Sequence, residues 1–187
     1  MAVTRGILVG RFQPFHLGHL SAVRDSSKDV DELIIVVGSS QRSHEFRNPF
    51  TAGERIEMIR ETLTAEREID EHKIILIPVP DTDVHYLWTY QMDLLVPRYD
   101  MVYTNDPFTK YLFTERGVKV AQPRLRKRRE LSGTQIRSRM VIDKDWHSLV
   151  SHTTAEFISA INGVKRIKSL FQRSDLNPSI YKHPHKY

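Results

Sequence analysis

Five short runs rich in Ile, Val and Leu recur along the chain, at 6–9, 33–37, 73–79, 101–104 and 118–121, each followed by a stretch of helical character. Apolar runs of this length that do not alternate with polar residues suit strands buried on both faces, and such strands belong to parallel sheets covered by helices on either side. The strand–helix order therefore predicts an α/β fold, a Rossmann-like doubly wound parallel sheet. Ligands of open sheets of this kind sit beyond the carboxyl ends of the strands.

Helix signals fall between the runs. Pro14 is placed for the opening turn of a helix over 14–23. Thr51-Ala-Gly-Glu54 is a capping box, and Ile56, Ile59 and Leu63 behind it share one helical face. A third helix is expected over 84–96 and a fourth over 108–116, closed by Gly117. After the last strand the pattern turns all helical. Ser132-Gly-Thr-Gln135 and Thr153-Thr-Ala-Glu156 both read as capping boxes, opening helices over 134–142 and 155–170, with Asn162-Gly163 a break in the latter. These C-terminal helices are expected to cover the sheet. One domain over 1–176 results, and 177–187 reads as a poorly ordered tail.

Charge and composition narrow the function classes. Twenty-eight basic residues against 23 acidic ones leave a net charge of +5, which suits anionic partners. The one-signed run Arg124-Leu-Arg-Lys-Arg-Arg129 reads more readily as a solvated loop than as a nucleic-acid patch, and small phosphorylated ligands explain the sign as well. Cysteine is absent, so any metal is held by oxygen or nitrogen and no thiol nucleophile exists. No apolar run reaches the ~20 residues of a membrane span, and no secretory signal opens the chain; a cytoplasmic protein without membrane partners is expected. Neither G-x-G-x-x-G nor G-x-x-x-x-G-K is present, so a dinucleotide-binding oxidoreductase and a P-loop kinase lack their fingerprints.

The stretch beyond the first strand reads Gly10-Arg-Phe-Gln-Pro-Phe-His16-Leu-Gly-His19. In the first turns of a helix, His16 and His19 share a face, and the free N–H groups and dipole of a helix start attract anions. Gly18 lets a base or ribose approach the backbone, and Arg11 adds a positive fork. Taken alone, such a histidine pair is more often surface decoration.

The full string matches G-x-F-x-P-x-H-x-G-H at every fixed position and resembles the signature of the H-x-G-H nucleotidyltransferase superfamily. Leu131-Ser-Gly-Thr-Gln-Ile-Arg137 is similar to a second element of that superfamily, in the form carried by archaeal nicotinamide-nucleotide adenylyltransferases. Ser43-His44, Arg47, the run from Pro49 to Arg55, Trp88 and the run from Ile161 to Ile167 extend the likeness over nearly the whole chain. One departure is Thr104-Asn105-Asp106-Pro107, where a glycine- or asparagine-rich N-P turn is expected.

The resemblance implies adenylyl transfer from ATP to nicotinamide mononucleotide, giving NAD and pyrophosphate by direct in-line attack. It implies catalytic roles for Arg11, His16, His19 and Arg137, and ATP contacts from Gly10, Arg11, Phe12, His16, Gly18, His19, Ser132, Thr134 and Arg137. Contacts to the mononucleotide fall to Arg47, Asp81, Trp88 and Asn105. Arg47 has an equal alternative in a salt bridge to Glu45 or Glu54, Trp88 in the core, and Asp81 in helix capping. Magnesium is implied as the companion of ATP, bound mainly through its phosphates, with no protein ligand named. A homo-oligomer, a hexamer by resemblance, is implied as well. The competing readings are another acceptor in the same superfamily, phosphopantetheine or FMN, and a basic nucleic-acid-binding domain.

Overall fold

The computed structural model describes residues 3–124 and 131–175. Its centre is a five-stranded sheet, all parallel, built from β1 (Arg5–Gly10), β2 (Glu32–Val37), β3 (Ile74–Pro78), β4 (Met101–Tyr103) and β5 (Lys119–Ala121) in the order β3-β2-β1-β4-β5. The order reverses between β1 and β4, so the crevice of a doubly wound sheet opens at the carboxyl end of β1.

The central strands β1, β2 and β4 are buried on both faces, as their uninterrupted apolar character requires, while the edge strands β3 and β5 are only partly covered. Leu8, Leu33, Ile35 and Val37 point into one core layer, and Ile7, Ile34, Val36 and Val102 into the other. At about 1.5–3 kcal/mol for each fully buried aliphatic side chain, these alternating sets dominate the stability of the sheet. The first layer is covered by α1 (Leu17–Ser26), α2 (Ala52–Ala65) and three C-terminal helices, α5 (Gly133–Val141), α6 (His152–Ala160) and α7 (Gly163–Gln172). The second is covered by α3 (His85–Leu95) and α4 (Pro107–Glu115), through Met92 and Phe113. Among the described residues no helix is long and apolar enough to cross a membrane.

Helix starts show where local chemistry overrides periodicity. The Thr51–Glu54 capping box forms in both directions, with Thr51 Oγ1 accepting from Glu54 N at 3.1 Å and Glu54 Oε2 accepting from Thr51 N at 2.8 Å. Gly117 closes the fourth helix at φ 72°. The first helix, expected over 14–23, begins instead at Leu17, because His16 holds an extended backbone and caps it; Pro14 stands outside the helix. The helix expected from Ala155 starts earlier, at His152, with Ser151 as its cap. Thr153 lies inside the helix, and its hydroxyl joins those of Thr62 and Ser151 in a cluster between α2 and α6, 3.1 and 3.0 Å away. Asn162, left-handed at φ 54°, then breaks the run into α6 and α7. The basic run after Arg124 and the 177–187 tail lie outside the described residues.

Candidate active site

The turn after β1 sets the geometry. Phe12 adopts φ 51°, which folds its ring back over Gly10; a Cβ at residue 10 would come within 2.7 Å of that ring. Glycine is therefore required there by close approach. The Phe12 ring meets His19 edge-on with centroids 4.8 Å apart, and Phe15 stacks on the same imidazole at 5.6 Å, so an aromatic wall fixes the histidine.

His16 is the N-cap of α1. Its Nδ1 accepts hydrogen bonds from Gly18 N (3.1 Å) and His19 N (3.3 Å). A nitrogen that accepts carries no proton, so the imidazole hydrogen sits on Nε2, facing away from the helix. Burial lowers the pKa of His16 to about 4. His19 is held well below its ordinary value by burial and by His16, whose ring stacks on it with centroids 3.6 Å apart. Both are neutral donors at pH 7 rather than cations. The free backbone N–H groups expected at this helix start are accordingly fewer, since the His16 ring already occupies two of them.

The second helix start comes to the same place. Ser132 caps α5, its Oγ accepting from Gln135 N at 3.2 Å. Arg137, only 4% exposed, reaches across 124 residues of sequence to donate Nη1 to Gln13 O at 2.7 Å, and its Nη2 donates to Thr134 Oγ1 at 3.3 Å. A Cβ on Gly133 would lie 2.7 Å from Gln13 O, and one on Gly18 would lie 3.3 Å from Leu131 Cβ. The two motifs are thus in contact. Burial, then repulsion from Arg11 and Arg47, lowers the Arg137 pKa to about 10. Among the described residues no carboxylate pairs with Arg11, Arg47 or Arg137. Three guanidinium groups near one another without counter-ions make a place for a polyanion.

Beside this cluster, at the carboxyl ends of the strands, lies a cavity of about 600 Å³ walled by Arg11, Ser39, Asp81, Trp88, Asp106 and Phe108, among others. Ser39 Oγ donates to Asp81 Oδ1 at 3.0 Å, and Arg42 Nε lies 3.6 Å from Oδ2, so Asp81 is held in the wall rather than capping a helix. Trp88 packs edge-on against Phe113 in the second core layer, with centroids 6.1 Å apart, and also lines the cavity. Trp88 Nε1 on the cavity wall is buried without a hydrogen-bond partner, and so are His19 Nδ1 and Arg137 Nε at the two helix starts. Such atoms are rare in native proteins and call for a ligand or other explanation.

Asn105 is not on the cavity wall; its side-chain amide donates to Pro123 O at 2.9 Å, tying the loops after β4 and β5 together. The neighbouring Asp106 lines the cavity instead and caps α4 by accepting from Thr109 N at 2.7 Å. Arg47 does not make either salt bridge open to it, because Glu45 faces Arg42 at 3.5 Å and Glu54 is taken by Arg166 at 2.8 Å. It is exposed, borders a smaller hollow with His44 and Phe46, and acts on Arg137 by charge.

Residues 7–139 match the model of the cytidylyltransferase-like family. The chain is 43% identical to a nicotinamide-nucleotide adenylyltransferase of Methanolobus tindarius over 166 residues, covering 89% of this chain and 94% of that protein. The chain belongs to this nucleotidyltransferase family. A nicotinamide-nucleotide adenylyltransferase of Archaeoglobus fulgidus is equally similar, 43% identical over 171 residues covering 90% of this chain and 98% of that protein. The fold is shared with a bifunctional NMN adenylyltransferase/ADP ribose pyrophosphatase from Francisella tularensis, at a TM-score of 0.61 and 18% identity over 93% of this chain and 57% of that one. The nucleotidyltransferase is thus an enzyme whose two signature motifs are the two helix starts that meet at Gln13 and Leu131.

Proposed function

We propose that this nucleotidyltransferase transfers the adenylyl group of ATP to nicotinamide mononucleotide, forming NAD and releasing pyrophosphate. One observation carries the reading: the α1 and α5 starts bring imidazole and unpaired guanidinium groups together beside a cavity of about 600 Å³ with an indole in its wall. The relatives named for this activity support the choice of acceptor.

The attacking phosphate monoester has a second pKa of ~6, so it is already an anion at neutral pH and no general base is needed. What opposes reaction is repulsion between that anion and the polyphosphate, together with charge growing on the α-phosphate and the leaving pyrophosphate. Neutral His16 and His19 donate to phosphate oxygens without adding the reorganisation of an ion. Arg11 and Arg137 hold the phosphate chain bidentately. Direct in-line displacement follows, with no enzyme nucleophile. Trp88 offers an aromatic face to the positively charged nicotinamide ring. The groups assigned to the phosphates are imidazole and guanidinium donors, so magnesium would arrive on the triphosphate, ligated by phosphate and water.

Incubation with ATP, magnesium and, in turn, nicotinamide mononucleotide, nicotinate mononucleotide, phosphopantetheine and FMN tests this by reading dinucleotide and pyrophosphate together. Product from the nicotinamide substrate is expected, with Trp88→Ala raising its KM by about tenfold. Product from phosphopantetheine or FMN alone would refute the acceptor.

A further inference from the structure

Arg55 is fully buried, at 0% exposure; its hydrogen bonds all go to carbonyl oxygens, and the Asp81 carboxylate acts on it through space rather than by a hydrogen bond. Its side chain runs back along the start of α2 and spends its donors on four carbonyl oxygens. Nε donates to Thr51 O at 3.1 Å, Nη1 to Arg11 O at 2.8 Å and Gly38 O at 2.7 Å, and Nη2 to Ser39 O at 3.2 Å. Three of those carbonyls belong to the turns that leave β1 and β2 at the cavity. Both turns hold a left-handed residue, Phe12 at φ 51° and Ser39 at φ 50°, a conformation that surrounding contacts must maintain. The side chains these turns carry line the cavity: Arg11 on one, and on the other Ser39, whose hydroxyl donates to Asp81.

We propose that Arg55 is a positioning residue for the transfer, clamping the two turns so that Arg11 and the Ser39–Asp81 pair stand at a fixed separation across the cavity. The inference rests on the reading above, in which Arg11 grips the nucleotide phosphates. A planar guanidinium suits the task because its donors diverge in one plane toward acceptors on different segments, whereas an ammonium gathers its donors at one point.

The test is a double-mutant cycle between Arg55→Lys and Arg11→Ala, with Arg55→Met as a second probe, each variant first shown to keep the wild-type near-ultraviolet circular dichroism. Two quantities are measured for each: the Kd of ATP by calorimetry and kcat/KM for dinucleotide formation. If Arg55 acts through Arg11, Arg55→Lys weakens both quantities by about tenfold in the wild-type background and by less than about threefold when Arg11 is already Ala, the non-additivity expected of coupled groups. Equal losses in the two backgrounds, or no loss with either Arg55 variant, would overturn the proposal. A wild-type chain that binds ATP without forming dinucleotide would refute the acceptor reading instead, and the cycle in Kd would still decide the role of Arg55.

Discussion

Replacing His16 by Asn separates the two tasks assigned to that side chain. In the structure Nδ1 accepts from Gly18 N and His19 N, and Nε2 is left to donate outward. Asparagine is among the best N-cap residues, and its amide oxygen can take over the acceptor role, so the cap survives. The imidazole is nevertheless buried and stacked on His19, and its loss leaves a small void; the combined cost to stability is about 1 kcal/mol. The outward donor has no replacement at the same position. Losing one such preorganised donor costs ~2.7–4 kcal/mol of transition-state stabilisation, or ~10²–10³ in rate. His16→Ala should lose the cap as well, adding ~0.5–2 kcal/mol of destabilisation. Thermal unfolding followed by circular dichroism measures the first effect, and dinucleotide production at saturating ATP and nicotinamide mononucleotide measures the second. His16→Asn turning over within about threefold of wild type, while as stable as supposed, would show that Nε2–H does not touch the reacting phosphates.

Further predictions come from neighbouring groups. His19→Ala should lose ~100-fold or more in rate while remaining folded, and near-wild-type turnover in a rapid-quench assay would remove it from the site. Because the folded-state pKa of His16 is about 4 against an ordinary 6.5, acid favours the unfolded chain: its share of stability is intact above pH 6.5 and drains as pH falls toward 4. By pH 5 that share amounts to about 2 kcal/mol, with His19 acting in the same direction, so urea midpoints at pH 8 and pH 5 should differ clearly in wild type and less in His16→Asn. Gly133→Ala would drive a methyl against the Gln13 carbonyl, 2.7 Å away, and should cost ~1–3 kcal/mol and displace Arg137; a variant with unchanged melting temperature and unchanged ATP affinity would mean that the two helix starts are not held together there.

Much of this molecule could be read from its residues because the relevant physics is local. Strand runs of Ile and Val, the Thr51–Glu54 box, Gly117 at a left-handed helix end and the Asn162 break all report on a few consecutive residues, and all stand where such patterns put them. Less local facts were harder to see. That His16 would end the helix rather than join it depended on a side chain folding back onto its own backbone, a competition that periodicity does not record. Ser151 rather than Thr153 caps α6, and the hydroxyls of both meet Thr62, 91 residues before Thr153, a contact that no local pattern records. Arg55 follows the capping box and looks like any charged residue on a helix; only the crossing of two turns from separate strands makes it an interior clamp. The amide of Asn105 turns to Pro123, on the loop after β5, an acceptor that lies 18 residues further along the chain. The residue types and motif spacing determined which chemistry this chain carries. Only the packed structure decided which nitrogen holds the proton, which charges go unpaired and which two distant helix starts meet, since those depend on distances between segments that the order of residues leaves open.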